Sequence, residues 1–357
     1  MANLTLDQFY SANETAELVG TRLLELFEEL ELNPVIKEDV AGKIGFEDKV
    51  VYDKKGYWTT VLGVDEAPIV DEFDTFVIQD KEYGPDKSYA LNRYFLGEGF
   101  SSTAELWMQK HQKSTTLEKD IKKDIAEIGG SLRRQHASIM IAKNNLMTKI
   151  LTKGFSISAS NGPGSASPYG QPLFSASHPI GSTGETQSNL ASGALSVDTL
   201  KDAVDKLRNM KDGKGNFLEG ATAYKLIVSP RLERTAIEIL SGENGFSPYN
   251  YSGAEATNNN FTNFFISEDG FKVQLVVLNT IGQPDAIEGG TIGNDAMWFL
   301  INPEVVALRG AFRKMNEVEQ VGMYKDEAKN ATFFKIETWF GAEFVYPECI
   351  VGYDWVS

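Results

Sequence analysis

The sequence predicts an α+β fold, and three features support this. One apolar stripe with a period of 3.6 residues continues from Thr115 to Gly154, as is typical of a single long amphipathic helix. Short runs rich in Val, Tyr, Trp and Phe between Ile44 and Phe100 indicate β-strands. From Ser196 onward, helix and strand patterns alternate closely, which indicates a small α/β unit.

Composition limits the function classes that remain. The chain has 357 residues, of which 42% are hydrophobic and 11% aromatic, enough to bury one large core or two moderate ones. No apolar run is long enough for a membrane span, and no signal peptide is expected. The single Cys349 permits no internal disulfide and favours a reducing cytoplasm. The net charge of -16 argues against binding to DNA or anionic lipid, but it suits a surface that touches DNA without adhering to it.

The long helix is expected over residues 115–153. Thr115 and Glu118 form a capping box at its start, and Gly154 supplies a C-terminal stop. About 38 helical residues reach roughly 57 Å, so a rod of this length needs other parts of the protein along it. Gly129 and Gly130 interrupt the helix propensity without shifting the stripe, and we therefore predict a bend at this pair.

A second amphipathic helix is expected near the N-terminus, from Asn13 to Leu32. Ser11 and Glu14 form a capping box, and Pro34 ends the pattern. Its other face is acidic. Two interpretations remain open: the helix packs on its own domain, or it is an arm that docks on a neighbouring subunit through an apolar face that includes Leu23, Phe27 and Leu30.

A β-hairpin is expected from Phe73 to Leu96. Its turn consists of Tyr83, Gly84, Pro85 and Asp86. Because an isolated two-stranded hairpin is at best marginally stable in water, this one needs a surface to lie on, in its own domain or on a partner.

Two long polar segments and a set of closing strands complete the pattern. Residues 156–195 and 241–263 have the composition of loops, and loops of such length are usually functional or held by other parts. Between them we expect a helix capped by Ser196, a turn at Asp212–Gly215, a strand at 224–228 and a helix at 230–240. Apolar strands are expected at 271–278, 296–301, 305–312 and 332–346, returning to the core of the long helix.

The sequence contains no convincing catalytic or metal-binding motif. His111, His136 and His178 are isolated and lack partners at metal-ligand spacing. Ser177 beside His178 lacks the G-x-S-x-G elbow of a serine hydrolase. The stretch from Asp212 to Glu219 departs from a calcium loop at Lys214, and a turn is expected there. No catalytic residue, metal or cofactor is therefore expected.

Four stretches of the chain resemble one known family. Residues 173–179 (LFSASHP), followed by Asn189 and Leu190, resemble the "LFS-x-x-HP … N-L" signature of Mu-like prophage major head proteins. Residues 200–240 are similar to that family's "K-D … L-I-V-P-P … A-x-E-I-L" run, with Ser229 in place of the first proline. The approach to the long helix, Tyr94 to Glu105, and the closing strands also resemble the family.

The resemblance implies the Hong Kong 97-type phage capsid fold, and with it five parts of the chain. Residues 1–45 would be an N-terminal arm and 46–100 an extended hairpin loop. Residues 101–195 would form a peripheral domain that contains the long helix as its spine, 196–295 an axial domain, and 296–357 return strands of the peripheral domain.

The resemblance also implies a function carried by surfaces. The chain would be a major capsid protein that self-assembles as hexamers and pentamers into an icosahedral virion shell around double-stranded DNA, formed in the host bacterial cytoplasm without a membrane. Portal, scaffolding and decoration proteins would be further partners. Tyr83, Gly84, Pro85, Asp86 and Lys87 of the extended loop, and the apolar face of the arm, would contact neighbours.

The sequence leaves two alternative functions. An encapsulin-like compartment shell would share the fold, and a cytoplasmic hydrolase using His178 is a remote alternative. In the capsid that gives the fold its name, neighbouring subunits are joined by a Lys to Asn isopeptide bond. Lys81 or Lys87 lies near the hairpin turn, but no motif supports such a link here.

Overall fold

The computed structural model describes residues 36, 38–45, 48–50, 53, 55–59, 83–101, 117–156, 169–181, 183–218, 223–240, 272–285, 288–303, 312–314, 320–326, 331–344 and 346–354. The predicted N-terminal helix at 13–32, the first hairpin strand at 73–82, residues 157–168 of the first polar segment and all of the second lie outside these residues. In chain order, the described elements are α1 (Val40–Ile44), β1 (Asp48–Val50), β2 (Lys55–Trp58), β3 (Lys87–Ala90), β4 (Asn92–Ser101), α2 (Leu117–Thr152), β5 (His178–Pro179), β6 (Thr186–Gln187), β7 (Leu190–Ala191), α3 (Val197–Arg208), β8 (Ala223–Val228), α4 (Glu233–Leu240), β9 (Lys272–Val277), β10 (Trp298–Ile301), β11 (Phe312–Lys314), β12 (Gln320–Asp326), β13 (Ala331–Gly341), a 3-10 turn (Pro347–Cys349) and β14 (Ile350–Tyr353). The chain thus mixes helices and strands, as the predicted α+β class requires.

The long helix α2 is continuous over 36 residues. Its predicted cap, Thr115, lies outside the described residues, whereas Gly129 and Gly130 have helical backbone within it. The helix is therefore unbroken at the glycine pair, and a bend there stays a prediction. At its other end, Gly154 N–H donates to Leu151 O at 3.1 Å in the turn that closes the helix. The predicted C-terminal stop is present.

A five-stranded sheet, the central sheet, has the order β7-β14-β10-β8-β9. Strands β8 and β9 run parallel and are joined through α4, the crossover that parallel neighbours require. Helix α3 begins with a capping box in which Thr199 N–H donates to Ser196 Oγ, as the sequence predicted for Ser196.

Both faces of the central sheet are buried, each in a different core. In β10, Phe299 and Ile301 face the core that includes Ile139 and Ile150 of α2. Trp298 and Leu300, on the alternate positions, face the core that includes α3 and α4. The sheet is therefore a layer between the long helix and the two shorter ones.

The second five-stranded sheet, the long-strand sheet, is built on β13. Strand β4 pairs with β13 antiparallel from Asn92 to Ser101. Strand β13 also pairs antiparallel with two further strands, with β12 along Ala331–Glu337 and with β11 at Phe340 and Gly341, and β11 in turn pairs parallel with β1. Tyr94 of β4 stacks on Phe340 of β13 with ring centroids 3.7 Å apart, and Phe340 belongs to the core shared with α2.

The closing strands differ from the predicted division at residues 295 and 296. Strands β10 and β14 were expected to belong to the peripheral return, yet they are two of the three inner strands of the central sheet. Of the described closing strands, only β11, β12 and β13 belong to the sheet that contains β4. The physical reason is that strands buried on both faces have uninterrupted apolar sequences, which do not indicate the sheet to which they belong.

Candidate assembly surfaces

The first candidate surface is a two-stranded ribbon formed by β2 and β3. These strands pair antiparallel from Lys55 opposite Ala90 to Trp58 opposite Lys87. The pairing makes residues 59–86 the connection of a hairpin wider than the predicted one, and it places the predicted turn residues just before β3. The Tyr89 ring lies across Gly56, where a Cβ atom would sit 2.4 Å from the Tyr89 hydroxyl.

The ribbon and the segment that leads into β3 expose aromatic side chains. Tyr57 is 73% exposed and Tyr83, a predicted interface residue, is 63% exposed. Gly84, Pro85 and Asp86 follow Tyr83 without regular structure. Exposed aromatic side chains on a small sheet with little core of its own are the kind of surface that another chain can cover.

Lys87 departs from the expectation for an interface residue. Its side chain is only 4% exposed, and its ammonium lies 3.2 Å from a carboxylate oxygen of Glu343, which is 1% exposed. The lysine thus connects the ribbon to the segment after β13 within one subunit. Burial in this ion pair also removes Lys87 as a candidate for a covalent link to a neighbour. The sequence shows Lys87 beside a polar turn and has no local sign of Glu343, so this pairing could not be predicted.

The motif that carried the family resemblance forms a buried cluster around Asn189, which is 1% exposed. Its side-chain amide donates to Leu173 O and Pro347 O, and its side-chain oxygen accepts from Ser175 N–H, each at 2.8 Å. The cluster therefore joins the segment after α2, the start of β7 and the 3-10 turn before β14. The role of this motif is structural.

His178 belongs to the same cluster. Its Nε2 lies 3.0 Å from Leu173 O and donates to it, because a carbonyl can only accept. Burial lowers the pKa of His178, which keeps the ring neutral. A ring buried against the backbone is poorly placed to serve Ser177 as a base, so this arrangement gives the hydrolase alternative no support.

The predicted turn at Asp212–Gly215 is present and is held from two sides. Asp212 Oδ1 accepts from Lys214 N–H and Asn216 N–H, both at 2.9 Å. The Gln187 side chain bonds both the N–H and the carbonyl of Lys211, at 2.8 and 2.9 Å. Because its carboxylate caps backbone N–H groups, Asp212 acts as a turn residue.

Phe217, which follows this turn, was not singled out from the sequence. It is 66% exposed, and Lys211 Nζ lies 5.7 Å from the centre of its ring. It marks a second exposed aromatic point of the subunit, on the α/β unit.

A half-buried carboxyl lies behind the same turn. Burial, with Asp212 nearby, raises the pKa of Glu348 to about 7. Glu348 belongs to the 3-10 turn that the Asn189 amide bonds through Pro347 O. The charge of this region therefore changes near neutral pH.

A groove of about 430 Å³ lies beside α3. Its lining includes Asp202, Asp205, Lys206 and Tyr353, and it contains neither His nor Cys. Lys206 Nζ donates to Leu190 O and Tyr353 hydroxyl donates to Thr199 O, each at 3.0 Å. No group of three His, Cys, Asp or Glu side chains in the described part of the chain could hold a metal ion. The groove has the features of a polar surface.

Charge pairs hold the C-terminal end of α2 in place. Lys149 Nζ lies 2.6 Å from Asp285 Oδ2 and 3.1 Å from Glu288 Oε1, and Lys153 also pairs with Glu288. Burial opposes the charge of Lys149, but its two acidic partners outweigh burial and raise its pKa. Gly293, at φ +72°, lies against Thr152 in the same region.

The predicted arm contacts and the predicted bend lie in different parts of the chain. Leu23, Phe27 and Leu30 of the arm lie outside the described residues. Gly129 and Gly130 lie in the helical backbone of α2. No helix in the described part of the chain is long and apolar enough to cross a membrane.

Comparison with known proteins gives one family. A family model described as phage capsid protein matches residues 118–352, from the start of α2 into β14. The match confirms the predicted phage capsid family and, with it, the predicted Hong Kong 97-type fold class. Closeness to Mu-like prophage head subunits stays a prediction. No curated protein matches the chain at the sequence level.

Several solved structures are similar at low identity. The mature capsid of bacteriophage PhiM1 has 9% identity and a TM-score of 0.46, with 90% of this chain and 88% of that chain covered. A virus-like particle from Pyrococcus furiosus has 9% identity and a TM-score of 0.45, with 96% and 100% covered. A phage-related protein from Bordetella bronchiseptica RB50 has 11% identity and a TM-score of 0.45, with 95% and 96% covered.

Proposed function

Because the chain belongs to the phage capsid protein family, we propose that it is the major capsid subunit, which assembles with copies of itself into an icosahedral shell around double-stranded phage DNA. The observation that carries this proposal is the family match over residues 118–352. That range includes α2, the central sheet and β13, the parts that form both cores. The protein is a structural component of a virion shell, and we propose no enzymatic activity for it.

The extended hairpin is the first proposed contact with a neighbouring subunit. The exposed rings of Tyr57 and Tyr83 support this, as does the small size of the two-stranded sheet. The contact would comprise Tyr83, Gly84, Pro85 and Asp86, with Lys87 as part of its support inside the subunit. Each contact can be weak, because a closed lattice engages many of them at once.

The N-terminal segment is the second proposed contact in the shell, through Leu23, Phe27 and Leu30. The sequence pattern of an amphipathic helix supports it. Hexamers and pentamers would be the intermediate assemblies, and portal, scaffolding and decoration proteins further partners. Assembly would take place in the host bacterial cytoplasm. The net charge of -16 suits a wall that encloses DNA without binding it strongly.

Electron microscopy of the purified chain, alone and coexpressed with its neighbouring gene products, tests the function. Closed shells or capsomers are expected. A monomer that never assembles under any of these conditions would overturn the proposal.

A double variant, Tyr57→Ser with Tyr83→Ser, tests the hairpin contact. Burial of an aromatic side chain contributes about 2 kcal/mol, so losing both should weaken one contact by about 100-fold or more and reduce shell yield strongly. The matched control, Tyr57→Phe with Tyr83→Phe, keeps the apolar surface and should assemble. Equal shell yields from both double variants would show that the tyrosines make no contact.

A further inference from the structure

The long helix carries a basic surface in an acidic protein. No Asp or Glu occurs from Ile128 to Gly184, although the chain has 50 acidic residues in total. Of the basic residues in that stretch, Lys149 and Lys153 pair with Asp285 and Glu288, and Lys143 lies over the ring of Phe340.

Arg133 and Arg134 remain exposed on α2 without an ion pair to any described acidic residue. No acidic residue stands three or four positions from either arginine, so pairing along the helix is impossible. Ser138 and Ile141 are also exposed, and Ile141 is 46% exposed. We call Arg133, Arg134, Ser138 and Ile141 the arginine face. It combines positive charge with a small residue and an apolar side chain, which suits an acidic amphipathic helix better than it suits a nucleic acid.

The sequence predicts such a helix at residues 13–32 of the same chain. That segment contains six glutamates and one arginine, together with the apolar face of Leu23, Phe27 and Leu30. The complementarity is therefore both electrostatic and apolar.

The structure also shows where this segment is attached. The Asn144 side chain donates to Glu38 O at 2.6 Å and accepts from Val40 N–H at 3.3 Å, so the chain entering α1 lies beside Asn144 of α2. Ile141 is three residues, or about 4.5 Å, up the helix from Asn144, and Arg134 is about 15 Å away. Leu32 and Glu38 are six residue steps apart along the chain, which can span up to about 20 Å.

The lengths agree as well. A helix over residues 13–32 is about 30 Å long, and α2 offers about 36 Å from its start at Leu117 to Ile141, so the helix fits along it. With Leu32 beside Ile141 and the two helices parallel, Glu25 stands level with Arg134, and Glu28 stands within one turn of it. The reach of residues 33–37, the length of the predicted helix and the charges on both helices thus agree with a parallel packing of residues 13–32 on α2.

We propose that in the free subunit residues 13–32 fold back on their own chain and cover the arginine face of α2. The arm is then shielded until assembly transfers it to a neighbour. Only this last consequence depends on the proposed function, because docking within one chain can be measured before any shell forms.

Cross-linking of the dilute, full-length subunit tests the docking. The double variant Glu29→Cys with Ser138→Cys is treated with a bis-maleimide whose span matches the distance between packed helices, about 8–10 Å. Cys349 is buried and can remain in place. A link within one chain is expected. The matched control, Glu29→Cys with Arg234→Cys, places the second thiol on α4 and should not link.

Charge reversal gives a second readout. Arg133→Glu with Arg134→Glu should lower the yield of the internal link about tenfold, and adding Glu25→Lys with Glu28→Lys should restore it. Circular dichroism checks that these surface variants fold.

Three results would overturn the proposal. The first is an equal yield of the internal link in the α4 control. The second is a link that forms only between copies. The third is an internal link that is unaffected by charge reversal, while the amount of nucleic acid retained by the purified subunit falls. The third result would identify the arginine face as a wall for DNA. Failure of the wild-type chain to form shells, with the internal link intact, would count against the proposed function alone.

Discussion

Replacement of Asn189 by alanine tests whether the family motif acts as a structural joint. The change removes three buried hydrogen bonds, each of 2.8 Å. Leu173 O keeps the His178 ring as a donor, and Pro347 O keeps the N–H of Ile350. Ser175 N–H is left buried without its acceptor.

The loss can be estimated from these contacts. One orphaned N–H costs about 1–3 kcal/mol, and the two other lost bonds cost about 0.5–1.5 kcal/mol each. We therefore expect Asn189→Ala to lower the free energy of unfolding by about 3–4 kcal/mol, measured by urea denaturation of free subunits. The control Asn209→Ala removes one exposed bond, from Asn209 Nδ2 to Asp205 O, and should cost about 0.5 kcal/mol or less.

Asn189→Asp refines the same test. The acceptor for Ser175 N–H survives, but a second carboxylate oxygen faces the carbonyls of Leu173 and Pro347. Repulsion and burial should raise the pKa of this carboxyl, so the variant should be most stable at acid pH and lose stability as pH rises. A loss below about 1 kcal/mol for Asn189→Ala, or one equal to the control, would refute the assigned role.

Three further predictions concern pH, a buried ion pair and a close contact. The pKa of Glu348 in the folded protein is raised to about 7, so wild type loses stability as pH rises from about 4.5 to 7 and this carboxyl loses its proton. Glu348→Gln should therefore be more stable than wild type by about 1–2 kcal/mol at pH 8 and equal to it at pH 4. Thermal-unfolding profiles of the two proteins that run parallel against pH would contradict this. Lys87→Met removes the ammonium beside buried Glu343 and should lower the free energy of unfolding, measured by chemical denaturation, by about 3–5 kcal/mol. Adding Glu343→Leu should recover most of this loss. If it recovers none, the result argues against the pairing. Gly293→Ala combines a φ of +72° with a Cβ 2.4 Å from Thr152 Cγ2, so it should lower the unfolding free energy by about 1–3 kcal/mol, with Gly289→Ala, at φ +78° but in open space, as the milder control.

Local patterns allowed much of the fold to be predicted. The period of 3.6 residues identified α2, because one face of a helix must meet the core wherever the partner lies. Ser196 was identifiable as a cap because its bond reaches only three residues along the chain. The turn after Asp212 depends likewise on backbone groups two and four residues away.

Partners distant in sequence could not be predicted in the same way. Lys87 and Glu343 are separated by most of the chain, and each has the sequence appearance of a surface residue. The tyrosines of the hairpin were only partly predicted. Tyr83 was identified through its turn, but Tyr57 was not, because its exposure depends on the pairing of β2 with β3.

The sequence by itself determined helices α2, α3 and α4, the Ser196 cap, the acidic composition and the motif by which the family could be recognised. Only the tertiary structure decided that β10 and β14 lie inside the central sheet, that Asn189 joins three distant segments and that Lys87 is buried. Propensity, capping and periodicity act between residues a few positions apart and are visible in one stretch of chain. Sheet order, burial of charge and exposure of a surface depend on which distant segments meet, and a single sequence contains no local signal of that choice.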